Sequence, residues 1–271
     1  KKKSLPSEEK LLQNLVALCN MVRRIAVEAG EITLKYLEDC DHIHVDIKND
    51  DSPVTLADRE AEAFIQMSLE GLTPNIPIIG EEAAALGKLP DLQGAEYFWI
   101  VDPLDGTKEY IAGGGDYTVN IALVRNHEPI MGVVFAPYHG YLYAGHGEGT
   151  AVKWVEDTNK EKAISVRDVP AAGMTVVASK SHGDADRRDK FLEAFKVEKL
   201  VKRGSSLKIC IIAEGKADIY PRFGPTCEWD TAAGDAVLRA AGGVMAEVNG
   251  EVLKYGGFKP KFLNPELLRS N

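Results

Sequence analysis

Cysteine is scarce in this sequence: Cys19, Cys40, Cys210 and Cys227 are the only four among 271 residues. No two are spaced as C-x-x-C and no histidines gather near them, so neither a zinc site nor a disulfide scaffold is indicated. Long hydrophobic runs are missing as well, since nothing approaches the roughly 18 apolar residues of a membrane span. No leader pattern of charge followed by an apolar stretch opens the chain, and the expected location is the cytoplasm. Positive charge is in deficit: 32 Lys and Arg against 41 Asp and Glu leave a net charge of −9. Such a chain lacks the broad basic surface that a nucleic-acid polymer requires. A small phosphorylated ligand is compatible with it, because metal ions and a few local cations reverse the sign inside one pocket. What is present is ordinary globular composition, 45% hydrophobic and 27% charged, enough for one large core or two closely packed halves.

Periodicity divides the chain into elements. Residues 8–37 read as one long helix, with Leu11, Leu15, Leu18, Val22, Ile25 and Ala29 at helical spacing. Residues 42–48 alternate like a short strand, and residues 55–70 read as a helix with Thr55 as N-cap and Asp58 in its first turn. Residues 77–80 form a short buried strand that ends in Glu81-Glu82. Residues 117–124, 129–135, 141–145 and 150–155 read as antiparallel strands joined by tight turns. Gly113-Gly114-Gly115 reads as a loop. The polar stretch 156–162 is a candidate boundary, which gives expected halves 1–160 and 161–271. In the second half, strands at 174–178, 200–202 and 218–221 alternate with helices at 184–195, 205–214 and 229–241.

The densest chemical signal is Trp99-Ile100-Val101-Asp102-Pro103-Leu104-Asp105-Gly106-Thr107. A hydrophobic strand runs into two carboxylates three residues apart, and Pro103 fixes φ between them so that one turn can aim both at a point. Oxygen-only ligands select hard cations, with magnesium (Mg2+) the natural choice. Asp105 stands where a helix N-cap belongs, with Gly106 and Thr107 offering the first amides to a phosphate. A lone D-x-x-D is usually a strand-end acid plus a capping acid; the preceding strand and the Gly-Thr sequel argue for more here. Three further acids read as ordinary when taken singly: Glu81 as a solvated helix start, Asp230 as a first-turn acid on a helix dipole, and Asp58 as an exposed helical acid.

Taken together and in this order, Asp58, Gly80-Glu81-Glu82, the motif at 99–107 and Trp229-Asp230-Thr231-Ala232-Ala233-Gly234 resemble the inositol monophosphatase superfamily of lithium-sensitive, magnesium-dependent phosphatases. Asp105 to Ile111, Tyr117 to Leu123, Gly204-Ser205-Ser206-Leu207-Lys208 and Tyr220 to Thr226 are similar to the bacterial 3'(2'),5'-bisphosphate nucleotidases. Those enzymes convert adenosine 3',5'-bisphosphate, a by-product of sulfate activation, to AMP and phosphate. The resemblance implies a layered α-β-α-β-α sandwich of the α/β class, with a mainly antiparallel sheet in the first half and a mixed sheet in the second. It implies that Glu81, Asp102, the Leu104 carbonyl, Asp105 and Asp230 hold two or three magnesium ions, and that the amides of Gly106 and Thr107 bind the scissile phosphate. Thr107 paired with Asp58 then orients and deprotonates the attacking water, with Glu81 in the same catalytic set. Homodimers are common in the superfamily.

Physical chemistry agrees with a need for cations. Two carboxylates about 4 Å apart repel by about 4 kcal/mol at an effective dielectric near 20, and bound metal removes that repulsion. Substrate choice rests on other residues. Arg222 stands where inositol-specific relatives carry an acid, and a guanidinium suits a second phosphate. Lys208 and the hydroxyls of Ser205 and Ser206 would add donors there, and Asp230 borders the substrate as well. His182 is a candidate ribose or base contact, although a histidine at such a place is more often an ordinary surface-turn residue. The expected substrate is adenosine 3',5'-bisphosphate, with 3'-phosphoadenylyl sulfate next. Two alternatives stay open at this point: an inositol or fructose-1,6-bisphosphate phosphatase of the same superfamily, and a non-catalytic nucleotide or magnesium sensor.

Overall fold

In the strand Tyr97–Asp105 successive side chains serve opposite cores, Phe98 and Ile100 joining one and Trp99 and Val101 the other. The same division holds along Thr118–Arg125, where Ala122 and Val124 oppose Val119, Ile121 and Leu123. A sheet with both faces buried must be hydrophobic on both, so its strands read as nearly unbroken apolar runs.

The structure is a computed structural model and describes residues 7–38, 45–47, 53–113, 115–180, 185–265 and 267–270. The first elements are α1 (Glu8–Leu12), α2 (Leu15–Glu38), β1 (Val45–Ile47), β2 (Pro53–Thr55) and α3 (Leu56–Leu72). Then come β3 (Ile78–Gly80), α4 (Glu81–Ala85), β4 (Tyr97–Asp105), α5 (Thr107–Ile111), β5 (Thr118–Arg125) and β6 (Glu128–Ala136). β7 (Tyr141–Gly145), β8 (Val152–Val155) and β9 (Lys160–Ala163) complete a seven-stranded sheet in the order β3-β4-β5-β6-β7-β8-β9. Only its β3–β4 pair is parallel.

The remaining elements are β10 (Met174–Ser179), α6 (Ala185–Leu192), β11 (Val197–Arg203), α7 (Leu207–Ala213), β12 (Ile219–Arg222), α8 (Glu228–Ala240), β13 (Val244–Glu247) and β14 (Leu267–Ser270). Their sheet has the order β11-β10-β12-β14-β13, parallel at β11-β10-β12 and antiparallel at β14. Helices α2 and α3 cover one face of the first sheet. α7 and α8 fill the space between the two sheets, and α6 packs on the outer face of the second. The layers are therefore α-β-α-β-α, as the resemblance implies.

Four details differ from the sequence reading. The long first helix breaks at Asn14, whose Oδ1 accepts the Ala17 N–H at 3.1 Å and so caps α2 separately. The expected boundary at 160/161 falls inside the strand Lys160–Ala163 of the first sheet, and the second sheet starts at Met174. The N-cap of α5 is Gly106, not Asp105, because β4 runs through to Asp105. The short strands β13 and β14 were not expected. Among the described residues no helix is long and apolar enough to cross a membrane.

Candidate active site

The ladder between β4 and β5 slips between Asp102 and Asp105. Pro103 has no N–H to give to a ladder, so a register break is natural there. The Leu104 N–H turns back to Asp102 Oδ1 at 3.1 Å. This kink delivers both carboxylates to one place, and α8 brings the third. Oxygens of Asp102, Asp105 and Asp230 lie within 4.8 Å of one another. Asp230 sits on the first turn of α8, where its Oδ2 also accepts the Cys227 N–H at 2.8 Å. Glu81, the first residue of α4, meets the Asp102 carboxyl side chain to side chain, and its charge also bears on Asp230.

Electrostatics show what the cluster lacks. Burial pushes the Asp102 carboxyl well up, and the charges of Glu81, Asp105 and Asp230 push it further. Burial, then Asp105, raises Asp230 to about 7. Converging buried carboxylates of this kind are stable when protonated or when neutralised by a cation. The donors are all oxygen, which fits a hard divalent ion.

Gly106 carries the next step of the site. Its φ of 90° lies in the left-handed region, and a side chain there would meet Glu109 Oε2 at 3.1 Å, the Asp116 carbonyl at 3.2 Å and Ser205 Cβ at 3.3 Å. Only glycine lets the chain turn into α5 at this point. Thr107 follows, and its hydroxyl donates to the Leu104 carbonyl at 3.4 Å. Asp58 is fully buried on the first turn of α3. Its neighbour Ala57 packs with Leu104, Tyr110 and Tyr117, so that turn lies beside the motif.

The structure places the remaining sequence candidates unevenly. Ser205 Oγ and Ser206 Oγ both donate to Asp105 Oδ2, at 2.7 and 3.0 Å, so these hydroxyls orient a carboxylate of the cluster. Lys208 is buried, with Nζ 3.5 Å from Ser179 Oγ and 5.3 Å from the Tyr220 ring centre. Arg222 donates from Nη1 to the Tyr220 hydroxyl at 3.1 Å and from Nη2 to the Pro225 carbonyl at 3.3 Å. Its Nε is buried with no hydrogen-bond partner among the described residues, an unmet donor of the kind native proteins avoid unless a ligand meets it. His182 lies outside the described residues.

Three supports went unread in the sequence. Glu62 of α3 accepts the Glu82 and Ala83 N–H groups, both at 2.8 Å, and so holds the start of α4 beneath Glu81. Burial raises its carboxyl to about 7 against those two hydrogen bonds. Asn120 donates to Ser206 Oγ at 2.8 Å, and Thr118 Oγ1 lies 2.7 Å from Ser205 Oγ. Asp116 binds the Gly204 N–H at 3.0 Å. Asn120 and Thr118 signalled themselves only as polar residues in a buried strand, and Asp116 only as an acid just before it.

Comparison with known proteins agrees with this geometry. The model of the inositol monophosphatase family matches residues 15–269. The chain is 42% identical over 248 residues to the 3'(2'),5'-bisphosphate nucleotidase CysQ of Escherichia coli strain K12, covering 92% of this chain and 97% of the relative. Among solved structures, CysQ from Bacteroides thetaiotaomicron superposes with a TM-score of 0.78 at 37% identity, covering 94% of this chain and 97% of that one. An inositol monophosphatase from Anabaena gives a TM-score of 0.72 at 27% identity, covering 95% and 92%.

Proposed function

The chain belongs to the inositol monophosphatase family, and from that premise we propose that it is a metal-dependent 3'(2'),5'-bisphosphate nucleotidase that removes the 3'-phosphate of adenosine 3',5'-bisphosphate. The observation that carries the chemistry is the oxygen-only cluster of Asp102, Asp105 and Asp230 within 4.8 Å, followed directly by the left-handed Gly106 turn into α5. The observation that carries the substrate is likeness to CysQ nucleotidases along nearly the whole chain. Magnesium as the cation, a homodimeric assembly and a cytoplasmic location belong to the same proposal; the all-oxygen donors and the family support magnesium, the family supports the dimer, and the location is the expectation drawn from the sequence.

Glu81, Asp102, the Leu104 carbonyl, Asp105 and Asp230 would hold the cations. Bound divalent metal neutralises charge on the transferring phosphoryl group and acidifies water. The amides of Gly106 and Thr107 receive the scissile phosphate. Ser205 and Ser206 keep Asp105 in one orientation. The Thr107 hydroxyl, now on the Leu104 carbonyl, would turn to take a proton from the attacking water while passing its own toward Asp58. As the water oxygen bonds to phosphorus the bond to the 3'-oxygen breaks, and that oxygen leaves as the ribose hydroxyl after taking a proton from water. Arg222 offers its unmet Nε to the second phosphate.

Steady-state hydrolysis of adenosine 3',5'-bisphosphate and inositol 1-phosphate, both with magnesium, tests this reading. The expected result is a clear preference in kcat/KM for the bisphosphate; preference for inositol phosphate overturns the substrate, and turnover of neither overturns the enzyme. Arg222→Ala should raise KM at least about tenfold for the bisphosphate, the scale of one lost charge-assisted contact, and far less for adenosine 3'-monophosphate. Equal effects on both would remove Arg222 from the second-phosphate role.

A further inference from the structure

Asp116 stands at the entrance to β5, buried, and the reading above gives it no task. Its carboxylate gathers groups from both halves of the molecule. His139, in the turn between β6 and β7, places Nε2 at 2.9 Å from Oδ1. Lys180, just past β10, places Nζ at 2.8 Å from Oδ2. Arg203, the last residue of β11, has Nη1 at 3.9 Å from Oδ1. The Gly204 N–H donates to Oδ2 at 3.0 Å. Burial alone would push this carboxyl up, but His139, Lys180 and the Gly204 amide overcome it and hold it below the usual carboxylate range.

The segment after Arg203 is laid closely on this residue. A side chain on Gly204 would meet Asp116 Cβ at 3.0 Å and its carbonyl oxygen at 3.2 Å. Ser205 then adopts φ 57°, a left-handed conformation that a non-glycine residue keeps only where its surroundings impose it. That conformation puts Ser205 Oγ 2.7 Å from Asp105 Oδ2, and Ser206 Oγ reaches the same oxygen at 3.0 Å. The chain of contacts runs from Asp116 through the Gly204 amide to two hydroxyls and on to a carboxylate of the cluster.

We propose that Asp116 is a positioning residue: it latches the Gly204–Ser206 segment of the second half to the first, and through Ser205 and Ser206 it fixes Asp105 for cation binding. The inference rests on the metal-site reading above. It is specific to Asp116, because Lys180 and Arg203 are half-exposed and His139 partly exposed, so water can serve them, whereas the Gly204 amide is buried and must find an acceptor.

The test is calorimetric titration of chelator-stripped protein with Mn2+, without substrate. Asp116→Ala, which leaves the Gly204 N–H without its acceptor, should raise the metal Kd about tenfold, the low end for a lost support of a metal ligand. Its melting temperature should be lower, because the contacts to His139 and Lys180 go as well, and its kcat should recover to within about fivefold at saturating metal. Ser205→Ala/Ser206→Ala should weaken binding similarly, and adding Asp116→Ala to that pair should weaken it no further, since contacts in one chain are not additive. Should Asp116→Ala fail to fold, Gly204→Ala, which keeps every charge and presses the segment away from the Asp116 Cβ and main-chain carbonyl, must show the same weakening. Wild-type binding with a Kd unchanged within twofold in the folded variants, or additive effects in the triple variant, overturns the role of Asp116 alone. Absence of Mn2+ binding by the wild type overturns the metal-site reading and this inference with it.

Discussion

Two demands meet on one carboxylate at Asp230. Its Oδ2 closes the first turn of α8 by accepting the Cys227 N–H at 2.8 Å, and its oxygens also lie within 4.8 Å of those of Asp102 and Asp105. Burial and the neighbouring acids raise its pKa to about 7, against roughly 3.9 for a free aspartate. A raised folded-state pKa means that the folded protein holds the proton more tightly than the unfolded chain. This contribution is therefore complete below about pH 4 and is lost as pH climbs to about 7. Glu62 and Glu228, also raised to about 7, act in the same direction. Asp116 and Glu214 are lowered instead, so their contributions change only below about pH 4 and lie outside this window. In chelator, the melting temperature should fall between pH 5 and pH 8, and excess Mg2+ should raise it far more at pH 8 than at pH 5. Asp230→Asn keeps an acceptor for Cys227, so it should flatten the pH dependence while lowering kcat more than about a hundredfold, beyond the range for a mere support of a ligand. A wild-type profile that is flat or rises from pH 5 to 8 would contradict the electrostatic account.

At the scale of elements, α3 serves the site twice along one face. Asp58 and Glu62 are one helical turn apart; the first lies beside the motif, and the second pins the start of α4. The pinning depends on Gly80, where a side chain would stand 2.6 Å from Glu62 Oε1. Gly80→Ala should therefore cost about 1–3 kcal/mol in urea unfolding, as over-packing does, and should weaken metal binding through Glu81. Glu62→Gln should weaken metal binding without a comparable steric loss, because its amide nitrogen cannot accept from the second N–H. A Gly80→Ala protein with wild-type stability would show that the close approach is not needed. This arrangement also shows where sequence reading stops. Glu81 stood out because it ends a strand after a glycine, but Glu62 is one of several acids on a polar helix face. Periodicity assigns it to a face without saying that another element's amides lie against it. Asp105 was misread as an N-cap for a similar reason: the slip at Pro103 carries β4 on to Asp105 and leaves the cap to Gly106.

For the whole molecule, the site exists only because the halves dock. The first supplies Glu81, Asp102 and Asp105; the second supplies Asp230 and the serines that orient Asp105. The strands β4 to β7 were legible as apolar runs between turns, because a sheet buried on both faces is hydrophobic on both, while the layering itself came from the resemblance to the family. The small residues after Asp230 signal a helix that packs closely beside another backbone, but no hydrophobic pattern says which strands receive it. α8 approaches the first sheet so closely that a side chain on Gly132 would meet the Ala233 carbonyl at 2.4 Å, and one on Gly145 would meet Ala240 Cβ at 2.6 Å. The carbonyl belongs to helix backbone and cannot swing aside, so relief must come from moving α8, and Asp230 moves with it. Gly132→Ala should thus lower stability by about 1–3 kcal/mol and raise the metal Kd at the same time. Gly71, within α3, is the matched control: nothing lies within 4 Å of the added carbon, so Gly71→Ala should stabilise by about 0.5–1 kcal/mol through helix propensity and leave metal binding alone. Urea unfolding and metal titration on the two variants separate the effects. If Gly132→Ala loses stability but binds metal as the wild type does, then α8 yields without carrying Asp230, and the site tolerates more play between its halves than the packing implies.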